Sequence, residues 1–264
     1  MLSYTQELEV AKEAAVKAGQ AIAGFYGKSL KVRHKAESQP VTEADLASNR
    51  VIKEMISNAF PQDGWLSEED ADNADRFEQK RLWVIDPLDG TKDFINKNPE
   101  FAVSIALVED RKPVVGVVYN PVTKELFWAH KGQGAFCDGK PIKVKEFNEQ
   151  ESFSLIVSMS EYKRGEWKDF ETQFKIIPTG GCAYKMGKVA RGDADGTFTL
   201  SPKSEWDICA GHLLVEEAGG VVSRLSGEDV VYNQANTLLD GLVYDNDPKT
   251  HQILLKAIKN YESN

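Results

Sequence analysis

The chain of 264 residues contains no run approaching the ~20 apolar residues that span a bilayer. Its first residues, Met1-Leu2-Ser3-Tyr4, lack the basic and then apolar regions of a secretory leader, so a cytoplasmic location is the expectation. Only three cysteines occur, Cys137, Cys182 and Cys209, and none stands in C-x-x-C spacing. Neither a zinc site nor a disulfide framework is supported, and the thiols are read as reduced and partly buried. The four histidines, His34, His130, His212 and His251, show neither triad nor metal-ligand spacing and are read as structural or surface residues. No repeat, low-complexity tract or linker rich in Pro, Gly and Ser interrupts the chain. Basic residues are outnumbered, 32 Lys and Arg against 41 Asp and Glu, for a formal net charge of −9. That argues against an extended nucleic-acid or anionic-membrane surface, because counterion release requires clustered cations. An acidic chain still binds phosphate where bound cations reverse the local field.

What is present is the patterning of a globular protein. With 41% hydrophobic residues the chain is long enough for one large domain or two lobes sharing a core. Leu8, Ala11, Ala15, Ala18, Ile22 and Phe25 recur at helical steps, with Ser3 and Gln6 as a capping pair and Gly27 as the stop. A second helix is predicted from Thr42 to Pro61, packing on the first. From Leu82 the period changes to that of strands: Leu82 to Ile85, Phe101 to Val108, Val114 to Tyr119 and Leu126 to His130, an antiparallel meander followed by an Asp138-Gly139 hairpin. The second half mixes strands at Leu155 to Ser158 and Thr197 to Leu200 with helices at Cys182 to Ala190, Asp207 to Ala218 and from Pro248. The fold class is α+β in layers.

Chemistry concentrates in Trp83-Val84-Ile85-Asp86-Pro87-Leu88-Asp89-Gly90-Thr91-Lys92-Asp93-Phe94. A buried strand delivers Asp86 at its end and Pro87 fixes a turn. Asp89 follows three residues on, so two carboxylates converge with the Leu88 carbonyl between them. Such hard oxygen donors suit Mg²⁺. The N–H groups of Gly90 and Thr91 then sit at a helix start, where a phosphate oxygen finds unpaired donors. Taken singly, Asp-Pro and Asp-Gly also make ordinary surface turns. The Asp-x-x-Asp spacing disfavours a covalent aspartyl-phosphate enzyme of the haloacid dehalogenase type, whose motif is Asp-x-Asp. Glu68, Asp207 and Asp45 are further candidates, each with a plain alternative: a charge in the acidic loop Glu68-Glu69-Asp70-Ala71-Asp72, a first-turn acid, and a capping-box partner of Thr42.

Together these segments resemble the lithium-sensitive, metal-dependent phosphatases that include inositol monophosphatase, fructose 1,6-bisphosphatase and the bisphosphate nucleotidases. The resemblance rests on Ser67-Glu68-Glu69-Asp70, on Asp86-Pro87-Leu88-Asp89-Gly90-Thr91, and on Trp206-Asp207-Ile208-Cys209-Ala210-Gly211 followed by Glu217-Ala218-Gly219-Gly220. It implies an α-β-α-β-α sandwich with a largely antiparallel N-terminal sheet and a mixed C-terminal sheet. Residues 1–150 would form a lobe carrying most metal ligands, and 151–264 a lobe completing one functional unit. It further implies Mg²⁺ held by Glu68, Asp86 and the Leu88 carbonyl, a second ion held by Asp86, Asp89 and Asp207, and a third, weaker ion involving Glu68. Thr91 would bind the attacking water, with Asp45 or Glu68 as proton acceptor. Leu88, Asp89, Gly90, Thr91, Lys185 and Asp207 would contact the substrate.

For the substrate, Asp89-Gly90-Thr91-Lys92-Asp93-Phe94, Lys35-Ala36-Glu37-Ser38-Gln39-Pro40-Val41-Thr42-Glu43-Ala44-Asp45 and Gly181-Cys182-Ala183-Tyr184-Lys185 resemble the CysQ nucleotidase branch, which acts on 3'-phosphoadenosine 5'-phosphate. Leu200 stands where the inositol branch carries a glutamate for sugar hydroxyls, a lost contact of ~1 kcal/mol or more. Against the nucleotide, Ser158-Met159-Ser160-Glu161 replaces that branch's Ser-Arg-Ser-His. Lys163, Arg164 and Lys185 are candidates for a second phosphate. Three readings follow: a 3'(2'),5'-bisphosphate nucleotidase, an inositol or other sugar-phosphate phosphatase, and a non-catalytic metal-binding regulator. A monomer or a homodimer is expected.

Overall fold

The computed structural model describes residues 4–28, 32–36, 39–148, 150–199 and 201–262. Ser3, Glu37, Ser38 and Leu200, singled out above, lie outside the described residues. Helix α1 spans Thr5–Ala23, and its periodic residues Leu8, Ala11, Ala15, Ala18 and Ile22 are all buried, whereas Phe25 and the expected stop at Gly27 fall in the turn beyond it, because the helix closes at Gly24. Strands β1 (Arg33–Ala36) and β2 (Gln39–Val41) pair as an antiparallel ribbon. Helix α2 (Glu43–Ala59) follows, opened by a capping box in which Thr42 and Asp45 satisfy each other's backbone N–H groups. Such a cap contributes about 1 kcal/mol.

The first sheet keeps its seven strands in chain order: β3 (Gly64–Ser67), β4 (Arg81–Asp89), then, after the short helix α3 (Thr91–Ile95), β5 (Ala102–Glu109), β6 (Lys112–Tyr119), β7 (Leu126–His130), β8 (Ala135–Cys137) and β9 (Lys140–Ile142). Only β3 and β4 run parallel; the other neighbours are antiparallel. The Asp110-Arg111 and Asp138-Gly139 turns place both central residues at positive φ, the twist that matches tight hairpins.

A second expectation changes. The strand read as ending at Ile85, with a turn at Pro87, continues to Asp89. Asp86 pairs with Ser104 and Asp89 with Ala102, so three steps on β4 oppose two on β5. The extra residue makes a bulge, and proline is tolerated there because a bulge leaves an N–H outside the ladder. The motif is therefore a kinked strand that re-aims its carboxylates.

The second half adds β10 (Ser154–Ser158), α4 (Met159–Arg164), β11 (Lys175–Thr179), α5 (Cys182–Ala190), β12 (Gly196–Thr199), β13 (Lys203–Ser204), α6 (Glu205–Glu217), β14 (Val221–Ser223), β15 (Leu238–Leu239), β16 (Leu242–Asp245) and α7 (Pro248–Glu262). The second sheet has the order β11-β10-β12-β16-β14. It is mixed: β10 runs parallel to β11 and β12, while β16 runs antiparallel to β12 and β14. β13 and β15 form a separate ribbon.

Three cores hold the layers. Ala11, Ile22 and Ile52 of α1 and α2 meet Trp83 and Ile105 on one face of the first sheet. Between the sheets, Met186 of α5 and Leu213 of α6 join Leu82 and Val118 on one side and Tyr244 on the other. Leu254 and Ile258 of α7 close the outer face with Trp167 and Phe198. Each fully buried large apolar side chain contributes ~1.5–3 kcal/mol, and the layering is α-β-α-β-α. α6 lies so close to β6 that a Cβ at Gly116 would fall 2.6 Å from the Ala210 carbonyl oxygen. Among the described residues no helix is long and apolar enough to cross a membrane.

Candidate active site

The site grows from the carboxyl end of β4. Asp86 and Asp89 are both buried, and Asp86 Oδ1 accepts the Leu88 N–H at 2.9 Å, closing the bulge. Because β3 runs parallel to β4, its end arrives alongside. The Glu68 N–H donates to the Ile85 carbonyl at 3.2 Å, which brings Glu68 beside Asp86. Helix α2 staples both strands: Ser48 Oγ donates to the Pro87 carbonyl at 2.7 Å, and Ser67 Oγ donates to Asn49 Oδ1 at 2.8 Å.

Asp207 comes from the other half as the third residue of α6, in a capping box whose Ser204 N–H donates to Asp207 Oδ2 at 2.8 Å. Ser104 Oγ donates to the Trp206 carbonyl at 3.3 Å, which docks that helix start onto β5. Asp89 reaches the opposite way, into the start of α5. It accepts the N–H groups of Cys182, Ala183 and Tyr184 at 2.7, 2.8 and 3.3 Å, where exposed donors and the helix dipole favour an anion.

These groups open into one cleft of about 620 Å³, lined by Glu68, Asp86, Leu88, Asp89, Gly90, Thr91, Lys185 and Asp207. Asp45 is the predicted site residue that does not line it. It is 1% exposed and stands behind Thr91, whose Oγ1 donates to Asp45 Oδ1 at 2.9 Å and reaches the Leu88 carbonyl at 3.1 Å. The other Asp45 oxygen is held by the Thr42 N–H and hydroxyl at 2.8 and 2.6 Å.

The electrostatics are those of crowded acids. Burial drives Asp86 well above the ordinary carboxylate range, and Glu68, Asp89 and Asp207 push it further. Burial also lifts Asp89 to about 6, against the pull of its α5 N–H partners and Lys185. Asp207 is pushed up to about 7 by burial, then by Glu68 and Asp89. Burial raises Asp45 too, although Thr42 and Thr91 stabilise its anion.

Among the described residues no three His, Cys, Asp or Glu groups already stand as a finished metal cage. Asp86, Asp89 and Asp207 are each turned toward a backbone N–H. The donor set nevertheless suits a hard divalent cation: it is all oxygen, and its mutual repulsion is of the kind a cation removes.

Sequence reading missed three features. Asp93, raised by burial, sits at the cleft beside Lys185. Glu161 and Lys203 face each other across it. In the sequence Glu161 reads only as the replacement for a histidine and Lys203 carries no motif, so only the tertiary fold joins them. Elsewhere, His251 bridges Asp245 (2.6 Å) and Ser223 (2.8 Å), a Ser–His–Asp row without triad spacing in the sequence. All three are buried and Ser223 Oγ donates to the Arg224 carbonyl, so the row clamps α7 to the second sheet.

Residues 3–263 match the model of the inositol monophosphatase family. The chain belongs to that family. Its members are phosphatases, phosphoric monoester hydrolases that are generally dependent on Mg²⁺. Inositol monophosphatase 3 of Solanum lycopersicum is 38% identical over 239 residues, 86% of this chain and 89% of that protein. The 3'(2'),5'-bisphosphate nucleotidase CysQ of Aggregatibacter actinomycetemcomitans is 32% identical over 246 residues, 89% and 91% of the two chains. The solved inositol monophosphatase of Thermotoga maritima superposes with a TM-score of 0.85 at 28% identity, covering 97% of this chain and 98% of its own. The family is one of phosphatases, and relatives of both substrate branches lie at similar distance.

Proposed function

We propose that this member of the inositol monophosphatase family is a Mg²⁺-dependent phosphomonoesterase that removes one phosphate from a substrate carrying a second anionic group. The lead substrate is 3'-phosphoadenosine 5'-phosphate, cleaved to AMP and phosphate. The observation that carries this reading is the charge layout of the cleft, where Lys92, Lys163, Arg164, Lys185 and Lys203 surround the carboxylate cluster. Lys185 is 5% exposed, yet its side chain makes no hydrogen bond or ion pair with the described residues. A buried ammonium without a direct partner is costly, and a phosphate oxygen offsets that cost.

Glu68, Asp86, the Leu88 carbonyl, Asp89 and Asp207 would hold the ions, with Asp86 shared. Bound Mg²⁺ would cancel the repulsion between acids and substrate and polarise the phosphoryl group. The chain's own residues do the rest. The N–H groups of Gly90 and Thr91 receive phosphate oxygens. Thr91 Oγ1 orients the attacking water; its proton goes directly to Glu68, or to Asp45 through the Thr91 hydroxyl, which passes its own proton to Asp45 Oδ1 as it takes the water's. Burial makes Asp45 a stronger base than a surface aspartate. Residues 1–150 and 151–264 act as one unit, in a cytoplasmic monomer or homodimer inhibited by lithium.

A second reading, an inositol or sugar phosphatase, is favoured by one observation: among the described residues no aromatic ring lines the cleft to stack on adenine. Phosphate release from 3'-phosphoadenosine 5'-phosphate, inositol 1-phosphate and fructose 1,6-bisphosphate, each with Mg²⁺ and with EDTA, separates the two. Preference for the first supports the lead, and preference for the second replaces it. Release from none, with Mg²⁺ bound, leaves a non-catalytic regulator.

A further inference from the structure

Lys203 is one of the cations that line the cleft. Its backbone is pinned, because β13 pairs with β15 through Lys203 opposite Leu239, and the next residue caps α6. Its side chain is 18% exposed, so the stem is packed while the ammonium reaches the cleft. On one side lies Asp207, whose carboxyl it stabilises as an anion. On the other lies Glu161, with Oε1 at 3.8 Å. Among the described residues no hydrogen bond engages that ammonium, and with respect to them its three N–H donors are uncommitted.

Glu161 explains the placement. It sits in the first turn of α4 and is 5% exposed. Its other contacts are long, the Trp167 indole N–H at 3.3 Å and the Thr199 hydroxyl at 3.5 Å. A carboxylate this buried needs a counter-charge, and Lys203 is the cation paired with it. The pair is close enough to fix the ammonium's position and too long to saturate it. The remaining cleft cations are placed differently: Arg164 is bound to Glu166, Lys92 and Lys163 are exposed, and Lys185 faces Asp89 and Asp93.

We infer that Lys203 binds the phosphate that the substrate keeps, and that Glu161 is the residue positioning it. The assignment rests on the proposed phosphatase reading and adds the residue that selects bisphosphates over simple monoesters. A substrate whose second phosphate reaches Lys203 gains a charge-assisted contact that a neutral alcohol lacks. The contact is the same before and during phosphoryl transfer, so it acts on KM and leaves kcat alone.

The test compares the parent with Lys203→Met, Lys203→Arg, Glu161→Gln and the double variant Lys203→Met/Glu161→Gln. kcat and KM are measured for 3'-phosphoadenosine 5'-phosphate, for fructose 1,6-bisphosphate and for 4-nitrophenyl phosphate. Binding of adenosine 3',5'-bisphosphate in Ca²⁺ is measured by calorimetry. Lys203→Met is expected to raise bisphosphate KM about tenfold or more relative to the nitrophenyl KM, while any change in kcat transmitted through Asp207 is shared by all three substrates. Lys203→Arg keeps most of the affinity, and Glu161→Gln shows a smaller rise confined to bisphosphates. The double variant removes the unpaired buried charge, so it folds and carries the same defect if Lys203→Met alone does not fold. Equal KM rises for both substrate classes, or a fall in kcat alone, would overturn the assignment. A parent that binds the bisphosphate through Lys203 but releases no phosphate would sink the phosphatase reading and keep the assignment.

Discussion

Thr91 Oγ1 lies 2.9 Å from Asp45 Oδ1, joining the first residue of α3 to the first turn of α2 across 46 positions of sequence. Through this contact a fully buried acid bears on a cleft it never touches. Thr91→Val is therefore expected to lower kcat by about a hundredfold or more, with Thr91→Ser restoring most of it. Asp45→Asn should fall similarly, while calorimetric Mg²⁺ affinity stays near that of the parent in all three. A loss of metal affinity equal to the loss of turnover would place these residues in the ion site instead.

Asp89→Asn and Asp207→Asn are both expected to reduce turnover about a thousandfold or more, since each removes a charge facing the reacting phosphate. Their stabilities should differ. Asp89 accepts three backbone N–H groups at the start of α5, and an asparagine would turn an NH₂ against at least one of them. The expected cost is about 1–3 kcal/mol in denaturant unfolding. Asn at position 207 still accepts the Ser204 N–H through its carbonyl and should unfold near the parent midpoint. Equal midpoints for the two variants would contradict the capping role of Asp89.

How much of this was legible in the sequence follows from the range of the interactions. The Thr42–Asp45 capping box and the α1 stripe from Leu8 to Ile22 are local, and they form as read, although the helix ends at Ala23, before Phe25 and Gly27. The meander was legible because its turns carry residues suited to positive φ. The motif at Asp86-Pro87-Leu88-Asp89 revealed its donors but not its shape, because the bulge is defined only against β5. Strands β11 and β16 went unread: the short apolar stretches Ile176-Ile177 and Leu242-Val243 carry no period of their own. The hold of Asp89 on α5, 93 residues away, and the Glu161–Lys203 pair are products of layer packing and leave no trace in spacing.

Acidity gives a stability prediction for the metal-free protein. Asp89 and Asp207 are raised to about 6 and about 7 in the fold, from the ordinary 3.8. Between those values the folded state holds more protons than the unfolded one, so stability falls as pH rises. The loss is complete above the folded values and absent below the unfolded one. In EDTA, this contribution should lower the melting temperature from pH 4 to pH 7. Asp207→Asn or added Mg²⁺ should flatten that slope. An Asp207→Asn profile parallel to the parent's would reject the origin assigned to the shift.

The buried Ser223–His251–Asp245 row serves the fold alone. His251→Ala leaves Asp245 buried without its partner and is expected to cost about 3 kcal/mol in unfolding free energy. Turnover per folded molecule should match the parent. A selective loss of kcat in a stably folded variant would give the row a catalytic part.

The most direct test is divalent-cation binding itself. Mn²⁺ titrated into the metal-free protein, followed by electron paramagnetic resonance, should bind saturably and be displaced by Mg²⁺. Asp86→Asn should lose that binding while keeping its circular dichroism spectrum. Binding that is unchanged in the folded Asp86→Asn variant, or absent in the parent, would contradict the claim that these carboxylates gather around metal.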